Sequence, residues 1–242
     1  MTDFTAILWK ESKEILLQGA SAGRRHPLIL VAVLGIFIPY RMGLRFFAAQ
    51  QLLVFILLSI AMIATVIADS FAGERERHTL ETLLASRVSD RAILFGKLAA
   101  SVGYGWLMSM ACVLVGTVTV NFAYGKGTLL FYDTPASLAI LALGPPLVGS
   151  FAATLGVLVS LRAATVRQAQ QTLMVGFLVL VLGTIFGIGA LPADWKVWFA
   201  MVLSNWGPTT LVLLAFALLL TIDGALLMAA IGRFKRSRLV LD

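Results

Sequence analysis

The chain has 242 residues, of which 60% are hydrophobic and 13% are charged, and its formal net charge is +7. A soluble domain carries about 25% charged residues, so this composition, with a mean hydropathy of +0.94, excludes an ordinary soluble domain and indicates a polytopic membrane protein. The excess of Lys and Arg in the cytoplasmic loops of membrane proteins explains the positive charge better than a nucleic-acid partner does. The single cysteine, Cys112, permits neither an internal disulfide nor a cysteine metal site.

Residues 3–23 form an amphipathic segment that precedes the first apolar run. Read as a helix, one approximate face of this segment carries Phe4, Ile7, Leu8, Glu11 and Ile15. A basic pair, Arg24 and Arg25, follows it, and such a segment is typical of a helix that lies in the membrane interface. We therefore predict that residues 1–26 form a cytoplasmic interfacial helix in contact with membrane lipid. A soluble N-terminal arm is the alternative.

Six apolar segments follow, each near or above the roughly 20 residues that cross a bilayer. They cover residues 27–47, 50–68, 93–122, 135–161, 169–191 and 208–231. The predicted fold is therefore an all-α polytopic membrane protein with six transmembrane helices. It forms a single transmembrane domain over residues 1–242, with the six-helix bundle at 27–232 and a basic cytoplasmic tail at 233–242.

The fourth and sixth segments have distinctive surroundings. Gly144-Pro145-Pro146 interrupts the fourth, and because proline lacks an N–H donor we expect a kink or a break there. The loop at 192–207, before the sixth segment, contains Trp195, Trp198 and Trp206. Tryptophan is enriched where a membrane meets water, so these side chains are expected at that interface.

The distribution of basic residues predicts the orientation of the chain. With the N-terminus inside, 15 of the 19 Lys and Arg residues fall on the cytoplasmic side. The four that fall outside are Arg41, Arg45, Lys126 and Lys196. Because cytoplasmic loops are enriched in Lys and Arg, both termini are predicted to be cytoplasmic.

The longest charged interval, residues 71–97, lies between the second and third predicted spans. Read as a helix from about Glu74, it places Leu80, Leu83, Leu84 and Val88 on one apolar stripe. Glu74 and Glu76 would then lie in its first turn, where the helix dipole favours negative charge. The interval is either a solvated charged loop or a docking helix whose leucine stripe is buried by a partner protein.

The same interval resembles the cytoplasmic signature of ABC-2 type transporter permeases, through residues 71–86 (FAGERERHTLETLLAS), 88–91 (VSDR) and 96–97 (GK). His78 stands where that family usually has glycine, and Arg87 stands where it usually has proline. Residues 160–170 are similar to the family's second cytoplasmic turn. In order, spacing and topology the resemblance covers nearly the full length of the chain.

The resemblance implies a membrane-spanning permease of an ATP-binding cassette exporter in a bacterial or archaeal cytoplasmic (inner) membrane. A separate ATPase subunit would bind ATP and Mg and drive alternating access, and a second permease, identical or different, would complete the unit. A short helix is expected before the sixth span. The docking helix would couple the ATPase to transport through Glu74, Arg75, Glu76, Leu80, Glu81, Leu83 and Leu84.

The sequence lacks the common motifs for phosphate binding and for metal binding. Residues 125–128 (GKGT) lack the upstream glycine of a phosphate-binding loop, and His26 and His78 lack metal-ligand spacing. The sequence therefore predicts no catalytic site, cofactor or metal in this chain. Two alternatives stay open: a membrane component of an ABC-like assembly or cytochrome-maturation complex, and an integral membrane enzyme that acts on lipids.

Several polar residues lie within the predicted spans. Placing a charged carboxylate such as that of Asp223 inside a membrane costs roughly 3 kcal/mol, so this side chain should face the interior of the bundle or a water-filled cavity. It is either a polar contact along the substrate route, or a structural residue paired with a neighbour such as Arg233 or capped by helix-borne hydroxyls. Further route candidates are Gln50, Gln51, Thr117, Thr119, Asn121 and Thr154. Small residues at helix-contact spacing, expected mainly to pack within the subunit, are Ala152, Gly156, Ser160, Gly183 and Gly187.

Overall fold

The computed structural model describes residues 3–20, 26–79 and 87–234. Within these ranges the chain forms helices and no strand. In chain order they are α1 (Asp3–Ala20), α2 (26–47), α3 (Ala49–Glu76), α4 (Asp90–Tyr124), α5 (Pro135–Ser160), α6 (Val166–Ala190), α7 (Ala193–Ser204) and α8 (Pro208–Arg233). Six of these, α2 to α6 and α8, are long and apolar enough to cross a membrane. The prediction of an all-α polytopic membrane protein is confirmed.

Two helices change their hydrogen-bonding pattern along their length. In α2, α-helical residues His26–Ala32 are followed by a π-helical turn (Val33–Phe37), a second α-helical stretch (Ile38–Met42) and a 3₁₀ turn (Gly43–Phe47). In α3, residues Asp69–Gly73 form a π-helical turn. Such turns are frequent at functional sites, and the one in α3 directly precedes the charged residues considered below.

Most helix ends lie within three residues of the predicted span ends, and α3 is the exception. The second span was predicted to end at residue 68, but α3 continues through Glu76. Glu74–Glu76 are therefore the last turn of α3, and the prediction that they begin a separate docking helix is wrong. Acidic residues oppose the dipole at the end of a helix, so both glutamates need partners there.

The end of α3 is set by His78, which has a φ of +56°. The backbone N–H of Thr79 donates to the carbonyl of Glu74 at 2.8 Å, and that of His78 donates to the carbonyl of Arg75 at 3.0 Å. This pair of bonds is the Schellman motif, which places a residue in the left-handed region just after the helix. Glycine adopts that region without the steric penalty that a side chain brings.

Replacing His78 with glycine is expected to raise the free energy of unfolding by about 0.5–1 kcal/mol. A left-handed L-residue costs roughly 1–2 kcal/mol, and the larger entropy of an unfolded glycine offsets part of that gain. Thermal unfolding of the purified chain in detergent measures the change. His78→Ala is the control because it keeps a Cβ, and a glycine variant no more stable than the alanine variant would contradict the prediction.

The helix α5 is continuous from Pro135 to Ser160 although Pro145 and Pro146 lie inside it. The break considered at these prolines therefore does not occur. The hydroxyl of Ser59 in α3 donates to the carbonyl of Pro145 at 3.4 Å. This bond ties α5 to α3 beside the prolines.

At the centre of the bundle, α3 packs against α4, α5 and α6, while α1 and α2 pack on α4 and α8 packs on α5. Glycines allow the close contacts of α3. A Cβ added at Gly105 of α4 or at Gly149 of α5 would lie 2.5 Å from the side chain of Ile63. Ala152, Gly156 and Ser160 are buried within the chain, as expected of packing residues.

The outer faces of the bundle are apolar and exposed, most of all on α6 and α8. Apart from their chain neighbours and the backbone of α6 itself, Gly183 and Gly187 have no described atom within 4 Å of the position that a Cβ would take. The expectation that these two glycines pack within the subunit is therefore wrong. The short helix expected before the sixth span is present as α7, and none of its residues is buried.

The bundle has two ends, which we call proximal and distal. The proximal end carries α1, the last turns of α3, the start of α4 and the turn at 161–165. The distal end carries residues 43–48 and 125–134. A hydrophobic cluster fills each end, around Ile67 and Phe71 at the proximal end and around Phe46 and Phe55 at the distal end.

Candidate functional site

A buried lysine joins three helices at the proximal end. Lys97, in the second turn of α4, is only 1% exposed. Its Nζ donates to Oε1 of Glu11 in α1 at 2.9 Å and to the carbonyl of Ser70 in α3 at 2.8 Å, and it lies 3.1 Å from Oε1 of Glu74 in α3. Two N–H donors of the ammonium group therefore bond to Glu11 and Ser70, its charge also pairs with Glu74, and the contacts fasten α1 and α3 to α4.

Lys10 of α1 completes this cluster at its rim, where it is half-exposed. Its Nζ lies 3.4 Å from Oε1 of Glu74 and 3.6 Å from Oε1 of Glu11. Burial lowers the pKa of Lys10, but the carboxylates of Glu11, Glu74 and Glu14 together outweigh burial, so its pKa lies above the ordinary value. Two ammonium groups thus face two carboxylates. We call Lys10, Glu11, Glu74 and Lys97 the ion cluster.

The two residues that follow Glu74 in α3 contact the turn between α5 and α6. Arg75 donates to the carbonyl of Leu161 at 2.8 Å and to that of Ala163 at 3.3 Å, just beyond the carboxyl end of α5. Glu76 Oε2 accepts from the backbone N–H of Val166, the first residue of α6, at 3.2 Å. The cation lies at the negative end of one helix dipole and the anion at the positive end of the next, which is favourable at both.

The start of α6 is fixed by two side-chain hydrogen bonds, one from the N-cap residue Thr165 and one that returns to the residue before it. The Thr165 hydroxyl accepts from the N–H of Gln168 at 3.2 Å, and the Gln168 side chain accepts from the N–H of Ala164 at 3.0 Å. The bond to Thr165 satisfies an N–H group that a helix start leaves unpaired. The turn that receives Arg75 and Glu76 is therefore held locally in one conformation.

The ion cluster together with Arg75 and Glu76 is named the proximal hub. Of the seven residues predicted to couple the chain to an ATPase, Glu74, Arg75 and Glu76 lie in it. The other four, Leu80, Glu81, Leu83 and Leu84, lie outside the described residues. Glu74 is 6% exposed, so its carboxylate faces the interior, whereas Glu76 is exposed. A contact of any of the seven with a partner stays a prediction.

A family model described as ABC-2 family transporter protein matches residues 40–216. The match covers more than half of the chain and includes Lys97 and the end of α3. The chain belongs to the ABC-2 transporter family. Members of this family are membrane transport components that generally work with an ABC ATPase subunit. The comparisons with curated proteins and with solved structures found no significant match.

In this ABC-2 protein, Asp223 of α8 is buried against α5. Its Oδ2 accepts from the Ser150 hydroxyl at 2.5 Å, and its Oδ1 accepts from the Thr154 hydroxyl at 3.2 Å. Ser150 and Thr154 are four residues apart and so lie on the same face of α5. Capping by helix-borne hydroxyls, one of the expected arrangements, is therefore observed, and the hydroxyls belong to the neighbouring helix.

Replacing Asp223 with asparagine is expected to change the free energy of unfolding by less than about 1 kcal/mol. The change removes a charge that is costly inside a membrane. The hydroxyls of Ser150 and Thr154 keep acceptors in their own helix, the carbonyls of Leu147 at 2.9 Å and Ser150 at 2.8 Å. Thermal unfolding in detergent measures the change, with the exposed Asp194→Asn as the control. A loss above about 2 kcal/mol would contradict the prediction.

The other candidates for the substrate route do not gather around Asp223. Asn121 lies at the distal end, where its amide nitrogen donates to the Leu130 carbonyl at 2.8 Å and its oxygen accepts from the Leu130 N–H at 2.7 Å. Gln50 is exposed and Gln51 is buried at the distal start of α3. Among the candidates, Thr154 alone contacts Asp223 within the described ranges, and the use of any of them by a substrate stays a prediction.

The sequence analysis gave no site role to Glu11, Lys97 or Ser150, although Glu11 lies on the predicted face of α1 and Lys97 in the family signature. A signal existed for two of them, because Glu11 interrupts the apolar face of α1 and Lys97 lies in an apolar stretch of α4. A charge in such a position needs a partner close by. Ser150 carried no comparable signal, because hydroxyl groups in apolar helices can bond to their own backbone.

Proposed function

We propose that this ABC-2 protein is the permease subunit of an exporter driven by a separate ATPase, which would bind ATP and Mg in its own chain. The proximal end and both termini would face the cytosol of a bacterial or archaeal cell, in agreement with the distribution of Lys and Arg. The observation that carries the proposal is the proximal hub. Three consecutive residues of α3 contact α1, α4 and the turn between α5 and α6.

This arrangement supports transmission of movement from one point. A partner that displaces the chain just after Glu76 would pull on α3 directly and on α1, α4, α5 and α6 through the hub. Packed helices convert such a displacement into small sliding movements between discrete states. In the proposed cycle, ATP binding and hydrolysis in the partner alternate the bundle between states open to opposite sides of the membrane.

A second permease subunit, either a copy or a different chain, would complete the transporter. The surface of α6 supports this part of the proposal, because Gly176, Gly183 and Gly187 have no described atom within 4 Å of the Cβ position. Small residues allow helices from two subunits to approach closely in a membrane. The substrate route would then lie between the two subunits.

The deciding experiment is copurification of a tagged chain from its native membrane, followed by identification of the bound proteins. We expect an ABC ATPase that hydrolyses ATP in the complex. In a Cys112→Ala background, the reactivity of Gln51→Cys toward a membrane-impermeant maleimide should differ by at least about threefold between nucleotide-free and ATP-trapped states. Assembly or cytochrome-maturation proteins without an ATPase would overturn the proposal in favour of an assembly component.

Replacing Glu76 with lysine is expected to uncouple this cycle without unfolding the chain. The substitution puts a cation beside the positive start of α6 and removes the bond to Val166. ATPase activity should persist, while the coupling of the nucleotide state to the reactivity of Gln51→Cys should weaken by about 0.5–2 kcal/mol, roughly twofold to thirtyfold. Asp194→Lys, the same reversal at an exposed acid of α7, is the control, and equal behaviour of the two variants would contradict the prediction.

A further inference from the structure

The helix α1 lies unusually close to α4, and a glycine makes this possible. A Cβ added at Gly96 would lie 2.5 Å from Cγ2 and 2.9 Å from Cβ of Ile7, and 3.4 Å from the backbone nitrogen of Leu8. A side chain at position 96 would therefore push α1 away. The neighbouring residue, Lys97, then reaches Glu11 one turn further along α1.

Charged side chains fasten α1 to the end of α3 as well. Lys10 lies 3.4 Å from Glu74, and Arg77, just past α3, lies 3.9 Å from Glu14. Both of these contacts are partly exposed, whereas Lys97 and Glu11 are 1% and 4% exposed. Separating α1 from the hub would take the Glu11 carboxylate away from Lys97 and so break a buried ion pair, which is unfavourable.

We propose that Lys97 is a positioning residue of the transport cycle, because through Glu11 and Glu74 it makes α1 move together with the end of α3. This inference rests on the proposed function, in which a partner displaces the end of α3. The helix α1 is then a moving part rather than a passive anchor. The exposed face of α1, which includes Trp9, Leu16 and Leu17, would shift along with it.

The experiment uses pulsed EPR distances in the copurified complex, with and without trapped ATP, in a Cys112→Ala background. One label pair joins α1 to the distal loop (Lys13→Cys with Lys126→Cys), and a second joins the start of α6 to the same loop (Arg167→Cys with Lys126→Cys). All three labelled positions are exposed. In the wild-type sequence, nucleotide should shift both distances.

The test variant is Glu11→Leu, which keeps the contacts of Lys97 with Glu74 and Ser70. We expect the nucleotide-dependent shift of the α1 pair to fall at least about threefold, while the α6 pair keeps its shift. A merely structural role would change both pairs alike or neither. Lys97→Met should give the same result, and Asp3→Leu, which removes an exposed acid of the same helix, should leave both shifts unchanged.

The outcomes separate the two proposals. An α1 shift that persists in both Glu11→Leu and Lys97→Met overturns the role of Lys97 and leaves the proposed function intact. A wild-type complex in which only the α6 pair moves also overturns the role of Lys97 and leaves the proposed function intact. A wild-type complex in which ATP shifts neither pair overturns the proposed function, and this inference with it.

Discussion

Replacing Lys97 with methionine is expected to lower the free energy of unfolding by about 3–5 kcal/mol. Removing one partner of a buried ion pair costs this much because the remaining charge stays buried without compensation. Here two carboxylates, Glu11 and Glu74, would lose their shared cation, and among the described residues only the half-exposed Lys10 would remain near them. Unfolding of the purified chain in detergent, by heating or by titration with denaturant, measures the loss of stability.

The matched control removes these three buried charges together, as Glu11→Met, Glu74→Met and Lys97→Met in one chain. Replacing a buried ion triad by well-packed hydrophobic residues of similar volume is often close to neutral. The triple variant should therefore recover most of the stability that the single variant loses. A Lys97→Met chain within about 1 kcal/mol of the wild type would show that the cluster is solvated rather than buried.

Replacing Gly105 with alanine is expected to lower the free energy of unfolding by about 1–3 kcal/mol, the usual cost of overpacking. The added Cβ would lie 2.5 Å from Cγ1 of Ile63 and 2.9 Å from the backbone carbonyl of Ser59. A side chain can turn away, but a carbonyl in the helix that forms the centre of the bundle cannot. Gly103→Ala is the control in the same helix, because no described atom lies within 4 Å of its Cβ position, and it should gain about 0.5–1 kcal/mol from helix propensity.

A second glycine tests the role of the carbonyl. A Cβ at Gly149 would meet Cδ1 of Ile63 at 2.5 Å, with the Ser59 hydroxyl next at 3.7 Å. Combining Gly149→Ala with Ile63→Val removes that methyl group and should restore stability. The same Ile63→Val should not rescue Gly105→Ala, because Cγ1 and the Ser59 carbonyl remain. Equal rescue of both alanines would contradict this account of α3 packing.

The spans could be predicted because crossing a membrane imposes a length and a composition that each segment satisfies alone. The starts of α5 and α8 fall on Pro135 and Pro208, as predicted. The end of α3 could not be predicted in the same way. Its last turn is charged, and it stays helical because Lys97 and the turn after α5 supply partners that lie far away in the sequence.

The candidate site was predictable in part. The charged residues after the second span could be recognised from their order and spacing, but Glu74 and Glu76 were assigned to the start of a helix. The structure places them at the end of one. The two carboxylates then have different environments: Glu74 is buried between α1 and α4, and Glu76 is exposed beside α6. Burial of this kind depends on which helices pack together, and no local pattern encodes it.

The amino-acid sequence by itself determined that this chain is a six-span helical membrane protein with the signature of its family, because hydrophobic length and motif spacing are local properties. Only the tertiary structure decided that α1 is fastened to α4 through Lys97, and that consecutive residues of α3 contact separate helices. The physical reason is that a buried charge is stable only beside its partner. Lys97 has two such partners, Glu11 and Glu74. They are distant from it along the chain and meet it only when α1, α3 and α4 have packed.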